Sequence, residues 1–476
     1  MTMLPERRHF RMDTTLTRSQ QRAYKAIMSG LNVFLTGHAG TGKSYLLNII
    51  RHELSDAGKN VVVAAPTGIA AINVGGTTLH RLFELKPDIY SDRAERIPSV
   101  LKRTDVLIID EISMCRIDLF DYIGRVLKKT HRYIQVIVVG DFCQLPPVIP
   151  NKGSNSEYFD EKGVLDTHFG FDVGGGFAFL SEQWTRLNFK TIILEEVVRQ
   201  NDPQFIDALD RARRGKVEAL EYFAYYSNPQ VLPKGIYLAG RNAEVNRINA
   251  NKLAAIGQRS YFYNAECKGE VREDDKRGAT ELLELKVGAR IMTTANDSEY
   301  RNGDLGYITA LTEDSITVLM DNAPKESEIK RYTWEIIRYQ VEITDQDRVL
   351  FKRTVVGRYI QFPLKLAWAV TIHKSQGQTF DQVNLNPQCW DSGQLYVALS
   401  RVRSIEGLHL VSPLYDRYLK LDPAVSDFYE YACVDEPDDV GIARDMVYKN
   451  DALPKKKTAE ETDGTDPNQY SLFGNC

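Results

Sequence analysis

Residues 33–47 read VFLTGHAGTGKSYLL. An apolar run ends in Gly37, His38, Ala39, Gly40, Thr41, Gly42, Lys43 and Ser44, and a helical pattern follows. Glycines in such a turn let backbone N–H groups converge on phosphate oxygens, and the helix behind it adds its positive end. Lys43 is placed to reach the β and γ phosphates of ATP, and the Ser44 hydroxyl to ligate Mg2+. A second stretch, VLIIDE, ends in Asp110 and Glu111. A carboxylate at the C-terminal end of a parallel strand faces the crevice where ligands bind. Asp110 is therefore expected to hold Mg2+, and Glu111 to orient or deprotonate the attacking water. In VVVGDFCQLPPV, Gln144 lies just past another strand, where its amide can sense the γ-phosphate. The plainer readings are a structural glycine turn and a surface Asp-Glu pair. They weaken because the segments share one strand series, and two carboxylates at a triphosphate imply hydrolysis.

These side chains need a scaffold that brings strand ends together. NVFLT, VVVAA, VLIID and QVIVVG are short apolar strands separated by helical patterns. Continuous apolar strands indicate a parallel sheet covered on both faces, an α/β fold. The alternation resumes in TIILEE, GIYLAG, DQVNLN and GLHLV. Between them, residues 288–363 carry short alternating strands with Asn-Gly and Asp-Ser turns, the pattern of a small β-barrel-like insertion or hairpin stack. The expected organisation is a flexible N-terminus (1–15), a first P-loop domain (16–190), and a second in two parts (191–287 and 364–433) around the insertion. An acidic tail (434–476) is expected to be disordered.

The 476 residues are 43% hydrophobic and 26% charged, enough for two or three domains with real cores. No apolar run approaches the roughly 18 residues of a membrane span, and the N-terminus has no apolar signal core. Six scattered cysteines without metal-ligand spacing read as free thiols of a cytoplasmic protein. The net charge of −4 at first argues against nucleic acid, but residues 434–476 hold ten acidic against five basic side chains. The remaining body is near neutral and has room for a basic groove.

AAPTGIAA, GGTTLHRLF and GDFCQLPPV resemble the petite-integration-frequency (PIF) family of superfamily-one, RecD-like DNA helicases. LEEVVRQNDPQF, VGARIMTTAN, NGDLGYI, LAWAVTIHKSQGQTFDQV and QLYVALSRVRS follow in the family's order, so the resemblance spans about residues 16–410. It implies two RecA-like P-loop domains, ATP and Mg2+ as cofactors, and movement 5′ to 3′ along single-stranded DNA with unwinding at duplex junctions. It also implies that Gln20 in LTRSQQRAY reads adenine; a plain helix start capped by Thr17 explains the same letters. Arg199 in VVRQ and Arg401 in VALSRVRS would enter the cleft from the second domain, and Gly377 would lie against the nucleotide. The segment around residues 79–99 corresponds to a strand-separating wedge. The segment 115–135 lacks the Phe-Gly-Gly turn of the family's eukaryotic members, which points to a bacterial type.

The candidate DNA contacts are Pro66, Thr67, Gly68, Thr78 and His80 in the first half, and His373, Lys374 and Ser375 in the second. Small, hydroxylated and basic side chains suit phosphates rather than base edges, as a sequence-blind track requires. YFAYY at residues 222–226 reads as amphipathic helix packing rather than base stacking. Two other classes compete: an assembly ATPase such as a clamp loader, and a nucleotide-gated scaffold. The second α/β domain with HKSQG and ALSR argues against the first, and a scaffold would not need Lys43, Asp110, Glu111 and Arg401 together; a DNA-stimulated translocase without autonomous unwinding is the nearer alternative. The chain is expected to be monomeric in isolation. Finally, Gln469, Leu472 and Phe473 in QYSLF are similar to the motif that docks bacterial repair enzymes on the sliding clamp.

Overall fold

The computed structural model describes residues 16–85, 95–149, 161–271, 276, 280–321, 325–343 and 349–432. Thr17 caps helix α1 (Arg18–Met28), and Gln20 closes a reciprocal capping box with it. Six strands then build the first sheet: β1 (Val33–Gly37), β2 (Val61–Ala65), β3 (Thr77–Thr78), β4 (Val106–Ile109), β5 (Gln135–Val139) and β6 (Lys190–Leu194). They lie in the order β3-β2-β4-β5-β1-β6, all parallel. The adjacency of β4, β5 and β1 brings the turns after them to one edge, which is how Asp110, Gln144 and Lys43 become neighbours.

The helices of this lobe are α2 (Lys43–Asp56), α3 (Gly68–Asn73), α4 (Leu79–Leu82), α5 (Ile117–Lys129), α6 (Glu161–Phe169) and α7 (Glu182–Leu187). Ala23, Ile27, Leu46 and Ile50, from α1 and α2, cluster with Val33, Leu35, Ile108 and Ile137 of the strands. Phe120, Ile123 and Trp184, from α5 and α7, cluster with Phe34, Leu107 and Val138. The central strands β1, β4 and β5 thus bury both of their faces, as their apolar sequences require.

The second lobe opens with α8 (Pro203–Arg213), α9 (Ala219–Tyr226), β7 (Ile236–Ala239) and α10 (Asn242–Ala254). Antiparallel strands follow: β8 (Tyr261–Asn264), β9 (Glu266–Gly269), β10 (Leu282–Leu285), β11 (Arg290–Thr293), β12 (Leu305–Leu311), β13 (Ser315–Met320), β14 (Glu326–Lys330), β15 (Tyr332–Ile343), β16 (Val349–Gln361) and β17 (Leu364–Leu366). They form a five-stranded sheet, β14-β13-β12-β11-β17, with a three-stranded sheet, β15-β16-β9, and the pair β10-β8. The chain then completes a parallel sheet, β18-β7-β19-β20, with β18 (Ala369–Thr371), β19 (Val383–Leu385) and β20 (Leu408–Leu410). Helices α11 (Gln394–Leu399) and α12 (Pro423–Ala432) complete the described chain.

Three boundaries differ from the sequence expectation. Strand β6 pairs with β1 through Leu194, so the first sheet extends past residue 190. The inserted β structure begins at Tyr261 rather than 288. Helix α12, placed by sequence order with the second lobe, packs Val425 and Phe428 among Phe34, Phe142 and Trp184 of the first. Its aromatics complete a core that the first lobe's own helices leave open. Residues 1–15 and 434–476, with Gln469, Leu472 and Phe473, lie outside the described residues, as does the middle of the proposed wedge, residues 86–94. No helix among the described residues is long and apolar enough to cross a membrane.

Candidate nucleotide and nucleic-acid sites

The turn after β1 depends on backbone that only glycine adopts easily. Gly40 and Gly42 have φ of 87° and 80°, and a Cβ on Gly40 would meet that of Arg199 at 2.6 Å. Lys43 lies behind this turn, its ammonium donating to the Gly37 and His38 carbonyls at 2.8 and 2.9 Å. Burial pulls that ammonium down to about 8, against the pull of Asp141 and Glu111 in the other direction. Thr41 closes the loop by donating to the His38 carbonyl at 3.0 Å. Ala39 donates its N–H to the Tyr396 hydroxyl of α11 at 3.0 Å, so the second lobe grips the loop directly. Ser44 is exposed in the first turn of α2.

Gln20 caps α1 and also touches the phosphate loop. Its carbonyl oxygen accepts from Thr17 N at 3.1 Å, and its amide donates to the Thr41 carbonyl at 3.1 Å. Helix capping and contact with the phosphate loop therefore come from one side chain.

Asp110 and Glu111 follow β4. Asp110 is 7% exposed and accepts from the Glu111 N–H at 2.9 Å. Glu111 adopts φ of 52°, an uncommon conformation for a non-glycine residue and typical of functional turns. Burial, and then the Glu111 charge, pushes the Asp110 carboxyl up to about 7. Burial also raises Glu111, with Lys43 pulling the other way. The buried Asp110 carboxyl and the half-buried Glu111 carboxyl, with a loop hydroxyl at Ser44, offer only oxygen donors, the kind suited to Mg2+, which commonly takes one or two carboxylates plus phosphates.

Two groups from the second lobe meet these carboxylates and the phosphate loop, and Arg401 lies behind them. Gln376 donates from its amide to Glu111 Oε2 at 3.0 Å and lies 3.4 Å from Gln144 Oε1. Arg199 lies against Gly40 and makes a single long bond, 3.4 Å, to the Ser400 carbonyl. Arg401 is 1% exposed and turned inward. It donates to the carbonyls of Val397 (2.7 Å), Ser375 (3.3 Å) and Gln378 (3.1 Å), and to the Ser400 hydroxyl (2.7 Å). In this conformation Arg401 organises its own lobe, whereas Arg199 has more of its guanidinium uncommitted. Gln376 was not among the residues singled out from sequence, although it stands inside the quoted HKSQG run. An amide in a loop carries no chemical signature until its partners are known.

The DNA candidates fall into two groups. Pro66, Thr67 and Gly68 begin α3, where the Thr67 hydroxyl accepts from Ala70 N at 3.3 Å. Thr78 caps α4 by accepting from Arg81 N at 3.2 Å, with His80 in the same turn. Both hydroxyls thus have structural partners. His373, Lys374 and Ser375 form a short 3-10 turn after β18, and Gly377 follows it with φ of 77°. Lys374 is exposed and His373 half-buried, its imidazole lowered by burial. Ser375 departs from expectation: it is fully buried and donates its hydroxyl to the Ile372 carbonyl at 2.7 Å. That side chain faces the interior, because the turn needs it to close. In α9, Phe223 is buried while Tyr225 and Tyr226 are exposed, as in amphipathic packing.

The sequence model of the PIF1-like helicases matches residues 15–168. The ATP-dependent DNA helicase Pif1 of Bdellovibrio bacteriovorus is 34% identical over 441 residues, covering 87% of this chain and 92% of that protein. The crystal structure of Bacteroides sp. Pif1 in complex with ADP-AlF4 superposes with a TM-score of 0.75 at 35% identity, covering 88% of this chain and 97% of the other. Bacteroides Pif1 bound to ssDNA gives a TM-score of 0.62 at 36% identity, with the same coverages. With a phosphate loop, a carboxylate pair and a second parallel-sheet lobe meeting at one site, and with likeness along nearly the whole of these relatives, the chain belongs to the family of PIF1-like helicases.

Proposed function

We propose that the protein is an ATP-dependent DNA helicase that moves 5′ to 3′ on single-stranded DNA and opens duplex at junctions. One observation carries the reading: the hydrolytic carboxylate of the first lobe, Glu111, is held by Gln376 of the second. A nucleotide site shared by two lobes turns hydrolysis into relative motion, and motion becomes translocation when both lobes grip one strand.

The chemistry follows from the placed groups. Lys43 exchanges its two carbonyl partners for the β and γ phosphates of ATP. Ser44 and Asp110 would hold Mg2+, which would supply positive charge against the phosphate oxygens. Glu111 takes a proton from the water whose oxygen attacks the γ-phosphorus, and the bond to the β-γ bridging oxygen breaks to leave ADP and phosphate. Gln144 contacts the γ-phosphate side of the site. Arg199, and Arg401 after the lobes close, stabilise the transferring group. Gln20 and Gly377 border the nucleotide. Pro66, Thr67, Gly68, Thr78 and His80 on one lobe, and His373 and Lys374 on the other, line the strand path.

The expected activity is weak basal ATP hydrolysis that single-stranded DNA stimulates strongly; ATP hydrolysis assayed with and without an oligonucleotide tests it. A DNA-insensitive rate would contradict the reading. The tail residues Gln469, Leu472 and Phe473 would dock on a bacterial sliding clamp, since exposed Leu and Phe favour association and tethering raises local concentration. A peptide of residues 465–476 should bind such a clamp with roughly micromolar affinity by calorimetry. Replacing Leu472 and Phe473 by alanine should abolish it, and no binding by the intact protein would refute it.

A further inference from the structure

The loop between β18 and β19 carries two kinds of residue within a few positions. His373 and Lys374 are the proposed strand contacts of its 3-10 turn, and Gln376 reaches the first lobe. Gln376 is 9% exposed. Its amide nitrogen donates to Glu111 Oε2 at 3.0 Å, with Gln144 Oε1 at 3.4 Å. Its carbonyl oxygen is buried and makes no hydrogen bond. A buried acceptor left without a partner is costly, so a donor supplied at that point in the cycle would be favoured. The loop itself is not slack. Arg401 holds it on both sides of Gln376 through the Ser375 and Gln378 carbonyls, and Ser375 pins it to Ile372.

We propose that Gln376 is the positioning residue that couples DNA contact to ATP hydrolysis: its amide orients Glu111, and its unpartnered carbonyl accepts from the attacking water. This rests on the helicase reading given above. A strand bound at Lys374 shifts a loop that Arg401 keeps rigid, and the shift is delivered to Glu111 two residues later. The water is then held between two acceptors, Glu111 and the Gln376 carbonyl, which fixes both of its protons. Only Glu111 takes one of them. DNA stimulation thereby acts on the chemical step rather than on nucleotide affinity.

The test is steady-state ATP hydrolysis by the full-length protein against the concentration of an oligo-dT strand. Gln376→Met keeps the shape and removes the amide; Gln376→Asn keeps the amide but withdraws it by one methylene. Both should lower the rate at saturating DNA by about tenfold to a hundredfold, the effect of losing a hydrogen bond to a charged group. The KM for ATP and the DNA concentration for half-stimulation should stay within about twofold of the unaltered protein. Lys374→Ala should raise the half-stimulation concentration and also lower the plateau, because the strand contact that shifts the loop is lost. A Gln376→Met plateau within about twofold of the unaltered protein would overturn the proposal, as would a defect confined to half-stimulation. If Gln376→Met does not fold, the Gln376→Asn plateau decides by the same criterion. Absence of DNA stimulation in the unaltered protein would instead sink the helicase reading.

Discussion

Asp141, at the end of β5 in the first lobe, and Arg213, in the last turn of α8 in the second, form a two-point ion pair with N–O distances of 2.8 and 3.0 Å. Neither side chain is more than 8% exposed. Tyr429 of α12 stacks under the guanidinium at 4.9 Å, and its hydroxyl accepts from Phe142 N at 3.2 Å and pairs with the Thr36 hydroxyl at 2.9 Å. The Asp141 pair is thus the floor on which the phosphate loop and the Gln144 turn rest. It ties together three segments distant in sequence.

Removing one partner of such a pair leaves a buried charge unmatched. Asp141→Asn should lower stability by about 3–5 kcal/mol near neutral pH, read by denaturant unfolding. Burial alone would raise the Asp141 carboxyl, but the Arg213 guanidinium outweighs it and holds the value below the usual range. Because the folded value lies below the unfolded one, the contribution is complete above about pH 4 and is lost as pH falls through the depressed value. The difference between the two proteins should therefore be flat from about pH 8 to 5 and shrink below about pH 4. A difference that grows in acid would contradict this assignment.

Lys43→Ala should abolish ATP hydrolysis and unwinding while single-strand binding survives, because the DNA candidates sit on other turns. Glu111→Gln should keep Mg-ATP binding and lose turnover. Fluorescent-nucleotide titration beside a phosphate-release assay separates the two, and an active Glu111→Gln protein would remove Glu111 from the chemistry.

The two arginines should differ in what else they lose. Arg199→Ala should bind ATP and turn over at least about a hundredfold more slowly, within the range for a lost arginine finger. Arg401→Ala should show the same loss in rate and also a lower melting temperature, since four hydrogen bonds organise its lobe. Equal melting temperatures for the two variants would contradict the structural part of the Arg401 role.

The fall of strand affinity with salt reports how the track is held. If phosphates carry the grip, log affinity should fall linearly with log salt, by about 0.7 per neutralised phosphate. Lys374→Ala should reduce the slope by about that amount. A salt-independent affinity would point to base stacking instead.

The nucleotide site was legible because its chemistry is local. Lys43, Ser44, Asp110 and Glu111 each follow a strand whose apolar run announces it, and sheet order alone brings them together. What the sequence hid are relations between distant segments. Nothing in PAVSDFYEYA says that Phe428 fills the first lobe's core, and an isolated Gln376 says nothing of Glu111. Arg401 stands out in VALSRVRS, but its inward bonds depend on the Ser375 and Gln378 carbonyls, which have no sequence signature. Ser375 was misplaced for the same reason: a serine in a turn reads as a phosphate contact until the turn is seen to use its hydroxyl.

Strand separation is the activity that the paired lobes exist to perform. Duplexes with a 5′ tail, a 3′ tail or blunt ends, incubated with the protein with and without ATP, give the decisive reading. ATP-dependent unwinding of the 5′-tailed substrate alone is expected, and its loss in Lys43→Ala. Equal unwinding from a 3′ tail, or no ATP-dependent unwinding of any substrate, would contradict it.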